Sequence, residues 1–350
     1  MSVKTRINLG IDVNRDKIII SVKPVGKNDD TPEYIGLNDE KASLTMEAIA
    51  GYIENKLKAY DIADPVCLTG NTDTHILRSA ADIIRMKGAC NVIFRTHTEC
   101  MMYYVNSLAG NFKNGPVVLM ENDGEKYNLT VMEVIRKKNM SYFDTFTGSS
   151  SKTLLKEALS ESFPDMAFSS VLVFCPSNVS QPFIKQLREL AVNSHVLSGD
   201  NIFSAGAALA AGVESNSSEK NRTQTDASNI CLIDSGRTHA NIYLKVNDSG
   251  PGRYYQLASA GCNYRGAGMA INIIPDRTNE IEFLVDDIRA KEPVHEVLLL
   301  GPEAEWIKKT KNLSLELKYI DADTPVITVK DTGFTSLYPN TYRVWEQILK

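Results

Sequence analysis

The sequence predicts an α/β chain that ends in a β-rich domain, and three features of its patterning say so. Up to residue 213, apolar runs of strand length alternate with amphipathic runs of helical period, the pattern of helices laid over a parallel or mixed sheet. From residue 229 onward strand follows strand, separated by Gly, Pro, Asn and Asp turns, which suggests a sandwich or barrel. Between the two, ESNSSEKNRTQTDAS, Glu214 to Ser228, holds no apolar residue larger than alanine and reads as a flexible linker. The expected division is therefore residues 1–213, a linker over 214–228, and residues 229–350.

The elements follow in order. INLGIDVNRDKIIISVK gives a strand from Ile7 to Ile11, a polar turn and a second strand from Ile18 to Val22, with Asp12 at the tip of the first. Helical periods over Leu44 to Tyr60 and Thr74 to Lys87 flank a short strand, Val66 to Thr69. RTHTECMMYYVNSL comes next, and Met101 to Tyr104 within it form an apolar patch of core type. NGPVVLMENDGEKYNLTVMEV repeats the strand, turn and strand design at Val117 to Met120 and Tyr127 to Val134. A strand over Met140 to Phe146 and a helix over Ser151 to Phe163 precede SSVLVFCPSNVSQPFIKQLREL, which reads as a strand (Val171 to Phe174), a turn and an amphipathic helix. VLSGDNIFSAGAALAAG then sets Gly206, Ala207, Ala208, Ala210, Ala211 and Gly212 on one short helix, Phe203 to Ala211. Glycine inside a helix costs about 1 kcal/mol relative to alanine, so that density of small residues points to another backbone passing close by.

Beyond the linker the expected strands are Ile230 to Ile233, Ala240 to Val246, Tyr254 to Ala258, Glu280 to Val285, Glu296 to Leu300, Leu313 to Ile320 and Pro325 to Lys330. IDSGRTHANIYL, Ile233 to Leu244, echoes a phosphate loop through Asp234, Ser235, Gly236 and Thr238, but a hairpin turn explains it more simply. AGCNYRGAGMA, Ala260 to Ala270, reads as an irregular loop.

Composition narrows the function classes. A hydrophobic share of 43% and a charged share of 23% describe an ordinary globular protein. The net charge of -5 and the lack of a basic cluster argue against a nucleic-acid partner. No apolar run reaches the roughly 18 residues of a membrane helix, and MSVKTRINLG carries no signal-type apolar core, so the expected location is cytoplasmic without membrane insertion. The six cysteines show no paired metal-finger spacing and sit mostly in apolar contexts, as reduced core thiols do. The five histidines are scattered and expected at the surface or at helix ends.

Four of these segments, in this order, resemble the actin and DnaK-type chaperone ATPase superfamily. The Asp12 hairpin resembles the first phosphate loop, usually G-I-D-L-G-T-T, and MENDGEKYNLT lines up with the second, V-F-D-x-G-G-G-T-x-D-x-S. VLVFCPSNVS resembles the adenosine loop, and Gly206-Ala207-Ala208 falls where the family has Gly-Ala-Ala. The resemblance implies a reduced two-lobed ATPase-like domain built on ribonuclease H-like sheets, followed by a sandwich-like domain of the peptide-binding kind. It also implies ATP or ADP with Mg²⁺, contacted by Asp12, Asn14, Glu121, Gly124, Lys126, Ser177 and Gly206, with Asp12 and Glu121 directed at the metal.

Departures from the pattern weaken the catalytic side. Val13-Asn14-Arg15 replace the glycine and hydroxyls of the first loop, and Asp123, Glu125 and Lys126 replace glycines and a threonine of the second. Cys175-Pro176 stand at the paired glycines of the adenosine loop, and the interval from Val134 to Ser169 is too short for the family's base-clasping subdomain. The helix RTHTECMMYYVNSL has Thr98, Glu99 and Cys100 where the family has alanines. The expected function is a non-catalytic or weakly nucleotide-responsive module that binds other proteins or peptides through its β-rich domain. The alternative is an active Mg-dependent ATPase with altered phosphate loops.

Overall fold

A computed structural model describes residues 4–14, 18–25, 32–37, 46–70, 72–86, 88–89, 91–108, 114–122, 127–137, 140–151, 155–164, 172–175, 185, 195–198, 201–219, 230–234, 236–246, 253–274, 279–301, 312–333 and 339–350. The chain divides into two compact units, residues 1–232 and 233–350.

The first unit begins with β1 (Thr5–Val13) and β2 (Ile18–Pro24), paired antiparallel from Ile7 opposite Pro24 to Val13 opposite Ile18. β3 (Glu33–Leu37) extends β2 antiparallel, while β4 (Tyr60–Ile62) and β5 (Val66–Thr69) run parallel to successive halves of β1, and β6 (Val92–Phe94) runs parallel to β5. The sheet order is β3-β2-β1-β5-β6 with β4 beside β1. β1 is buried from Ile7 to Val13, which is why its sequence is nearly continuous in apolar residues. Helices α1 (Met46–Leu57) and α2 (Thr74–Met86) cover this sheet, with Ile53, Leu57, Ala80, Ile83 and Ile84 joining its core.

The same design recurs. β7 (Gly115–Asn122), β8 (Tyr127–Lys137) and β9 (Met140–Ser150) form an antiparallel meander, β10 (Leu172–Cys175) runs parallel to β7, and β11 (His195–Ser198) runs parallel to β10. The order β11-β10-β7-β8-β9 repeats the order of the first sheet strand for strand, and β12 (Ile230–Ile233) is added beside β9. Helix α4 (Leu155–Ser162) packs on β9.

Two helices join the lobes. α3 (His97–Ser107) leads from the first sheet to the second, and α5 (Ile202–Glu219) returns from the second to lie on β1, β2, β5 and α3. Ile202 belongs to the second lobe's core with Met101, Met102, Val105, Met132 and Phe143, whereas Ala207, Ala210 and Ala211 pack with Cys67 and Cys100. The small residues of α5 allow direct backbone contact on two sides. A Cβ added to Gly10 of β1 would lie 2.1 Å from the Ser204 carbonyl oxygen, and one added to Gly206 would lie 1.9 Å from the Cys100 carbonyl oxygen.

The second unit is a sandwich of two antiparallel four-stranded sheets. One has the order β14 (Arg253–Ala258), β13 (Ala240–Val246), β16 (Glu280–Asp287), β17 (Val294–Leu299). The other has β15 (Met269–Ile273), β18 (Leu313–Tyr319), β19 (Pro325–Asp331), β20 (Val344–Ile348). Inward-facing Ile242, Leu244, Phe283, Val285 and Leu298 meet Leu313, Leu315, Leu317, Ile327 and Val329 in one core. Among the described residues its only helical piece is a short 3₁₀ turn, Tyr264–Gly266.

The polar stretch begins inside a helix, because α5 continues to Glu219; residues 220–229 lie outside the described residues. Ile230 to Ile233 does not pair with the strands of the β-rich domain: as β12 it lies beside β9 in the second lobe's sheet, and Ile230 and Leu232 cover that lobe's core. No hairpin joins β12 to β13, since the two strands belong to different sheets, and Ser235 lies outside the described residues. The phosphate-loop echo is satisfied internally: the Gly236 N–H donates to Asp234 Oδ1 at 2.9 Å, and the Thr238 hydroxyl to the Ser259 carbonyl at 2.9 Å. Met269 and Ala270, assigned to a loop, open β15. No described helix is long and apolar enough to cross a membrane.

Candidate functional site

Asp12 ends the apolar run of β1, opposite Ile19 of β2 and Thr69 of β5. With α3 and α5 closing over it, its side chain is 1% exposed. Both carboxylate oxygens are engaged: Oδ1 lies 2.9 Å from His97 Nε2, and Oδ2 accepts from Asn14 Nδ2 at 2.9 Å. His97 is the first residue of α3, and its ring stacks on that of Phe203 with centroids 3.9 Å apart and planes 2° from parallel. One hydrogen-bonded and stacked chain, Asn14–Asp12–His97–Phe203, thus ties β1 to both lobe-joining helices.

The position of His97 is set locally. Thr96 caps α3 in a reciprocal box, its Oγ1 accepting the Glu99 N–H at 3.2 Å while its own N–H donates to Glu99 Oε2 at 2.7 Å. We expect Thr96→Ala to cost about 1 kcal/mol of stability in urea unfolding, the usual penalty for a lost N-cap oxygen.

The neighbourhood of Asp12 mixes buried and partly exposed polar groups. The hydroxyl oxygens of Thr69 and Thr72 are buried and have no hydrogen-bond partner among the described residues. Burial pushes the Cys100 thiol well above its usual range, and the neighbouring Cys67 thiol acts in the same direction; both cysteines are buried. Ser21 and Ser204 share a hydrogen bond of 2.8 Å between β2 and α5, and Arg95 pairs with Glu214 at 2.8 Å.

Of the residues expected to contact a nucleotide, Asp12 and Asn14 are brought together and bond to each other. Gly206 faces the Cys100 backbone within the helix junction. Glu121 lies in β7 opposite Asn128. Gly124, Lys126 and Ser177 lie outside the described residues, as do Asp123, Glu125 and Pro176. Among the described residues no group of three or more His, Cys, Asp or Glu side chains is placed to hold a metal ion. With both carboxylate oxygens hydrogen-bonded and the side chain 1% exposed, Asp12 as placed offers no open position to Mg²⁺, and coordination there would require His97 or Asn14 to give way.

His97 and Phe203 were not singled out by sequence reasoning, which placed the histidines at the surface or at helix ends. His97 does stand at a helix end, but its ring is only 14% exposed and paired to a buried carboxylate. The legible signal was the Thr96-x-x-Glu99 capping box, which fixes His97 as the first helical residue.

Residues 237–350 match a protein family described only as a domain of unknown function (DUF8552). No curated protein sequence matches the chain. Three solved structures are similar to it at low identity. A protein of Bacteroides thetaiotaomicron VPI-5482, described as having an actin-like ATPase fold and unknown function, shares 8% identity with a TM-score of 0.38, over 58% of this chain and 96% of its own. A ROK family protein from Streptococcus pneumoniae TIGR4 shares 8%, with a TM-score of 0.37, over 61% of this chain and 99% of its own. A ROK family glucokinase from Streptomyces griseus shares 10%, with a TM-score of 0.34, over 59% of this chain and 99% of its own. The strand order repeated in the two lobes, with a helix crossing in each direction, is the arrangement of the actin-like ATPase fold; the first unit has that fold, and a β-sandwich follows it.

Proposed function

We propose that this chain is an actin-fold protein of the chaperone-like kind that does not turn over ATP and works by binding other proteins or peptides through its β-sandwich. One observation carries the reading. The acidic residue that the ATPase pattern directs at Mg²⁺ is committed to His97 and Asn14 inside the protein, at 2.9 Å on each oxygen. A carboxylate held in this way positions helices and has no exposed face to offer a hydrated cation. On the sandwich, Val297 and Leu299 of the edge strand β17 are 42% and 61% exposed, an apolar strip suited to a partner.

Calorimetric titration and a phosphate-release assay of the full chain test the reading together. The expected result is no turnover above background with Mg-ATP, and binding of Mg-ATP or Mg-ADP no tighter than millimolar. Micromolar binding of Mg-ATP with phosphate release would establish the ATPase alternative instead.

A further inference from the structure

Arg136, in the first unit, holds a guanidinium whose nitrogens are shielded from water and have no partner among the described residues. Arg136 is the penultimate residue of β8, opposite Ser141 of β9, one rung before the last pair, Lys137 with Met140. Strand alternation puts its side chain on the face of Met132 and Val134, the face that packs on Met101, Met102 and Val105 of α3. Its main-chain N–H donates to Asn114 Oδ1 at 3.2 Å. Nε and both terminal nitrogens of the guanidinium are shielded from water and have no hydrogen-bond partner among the described residues. A guanidinium stays charged throughout the ordinary pH range and carries five donors in a rigid fork, so leaving all of them unmet opposes folding. Burial acts accordingly, lowering its pKa. Isoleucine or methionine would fill the same volume without that cost.

We propose that Arg136 anchors an oxyanion-binding site at this end of the second lobe, taking two oxygens of a carboxylate or phosphate on its fork. The planar, two-pronged donor set matches both groups. Its place at the rim of the sheet means that admitting the anion disturbs the last rung of the meander and leaves the core of Val117, Met132 and Phe143 intact. The site lies at the far end of β8 from the segment aligned with the second phosphate loop. β8 starts at Tyr127, next to the segment aligned with the second phosphate loop, and nine residues of strand rise set Arg136 about 30 Å further on.

Thermal unfolding of the full chain tests this in sodium phosphate, sodium acetate and sodium chloride at matched ionic strength. All described α-helices lie in the first unit, so ellipticity at 222 nm follows that unit. Both tryptophans, Trp306 and Trp345, lie in the second, so their emission separates a general salt effect from a local one. With tens of millimolar phosphate or acetate, the ellipticity midpoint is expected to rise by about 4 °C over chloride while the tryptophan midpoint stays put. Whichever anion gives the larger rise identifies the ligand class. R136M should abolish the rise and melt no lower than the parent in chloride, and R136K, which keeps the charge but loses the fork, should retain at most half of it. The site is overturned by equal rises in parent and R136M, by equal movement of both signals, by an undiminished rise in R136K, or by an R136M protein that melts well below the parent in chloride. That last outcome would mean that the guanidinium is already satisfied in the folded chain.

Discussion

Gly206→Ala is expected to lower the unfolding free energy of the first unit by about 3 kcal/mol, and Gly10→Ala by a similar amount. A new methyl group at Gly206 meets the Cys100 carbonyl oxygen at 1.9 Å and the carbonyl carbon at 2.6 Å. At Gly10 it meets the Ser204 oxygen at 2.1 Å and the Ala208 nitrogen at 2.2 Å. These are main-chain atoms of helices held on several sides, so no rotamer change relieves the clash and the helices themselves must move apart. The sign is what makes the test specific. In an open helix the same substitution is favourable by about 1 kcal/mol, and Gly51 of α1, whose added Cβ meets nothing within 4 Å, provides that control. Urea unfolding followed at 222 nm should therefore show Gly51→Ala stabilised and the other two strongly destabilised. A Gly206→Ala protein that unfolds with the parent would mean that α3 and α5 do not touch at this point.

That close approach was legible in the sequence because it needs only small residues at successive turns, which composition displays directly. The duplicated hairpins were legible for a similar reason, since a polar turn between two apolar runs is a local signal. Pairing between distant segments is not local. β12 reads as one more strand beside β13, yet its partner is β9, and an apolar four-residue run carries no record of which sheet receives it. β20 is not legible as a strand because Val344, Glu346 and Ile348 of this edge strand face outward, blurring the alternation that marks a strand. β15 stands directly behind the glycine-rich segment 260–268 and took on its loop-like character. The partner of His97 is 85 residues away, so the capping box could place the imidazole on a helix but could not say what it would face.

The pairing of Asp12 with His97 is expected to carry the second large effect. Asp12→Ala removes the acceptor of two hydrogen bonds at a site that water does not reach, leaving the His97 ring and the Asn14 amide without it. The loss is expected to be about 2 to 3 kcal/mol, the range for an abandoned buried polar partner, with a small cavity adding to it. Asp12→Asn keeps the shape and one oxygen, so its cost should be about half of that. The double variant Asp12→Ala with His97→Ala should cost less than the two single losses added, because each single change already forfeits the shared bond. Magnesium separates this structural role from a metal-binding one. If Asp12 serves to hold α3 against β1, millimolar Mg²⁺ and excess EDTA leave the melting temperature of the parent and of Asp12→Ala where they are. A Mg²⁺-dependent rise in the parent that Asp12→Ala removes would show the carboxylate turning away from His97 to take a cation, and would restore the ATPase alternative.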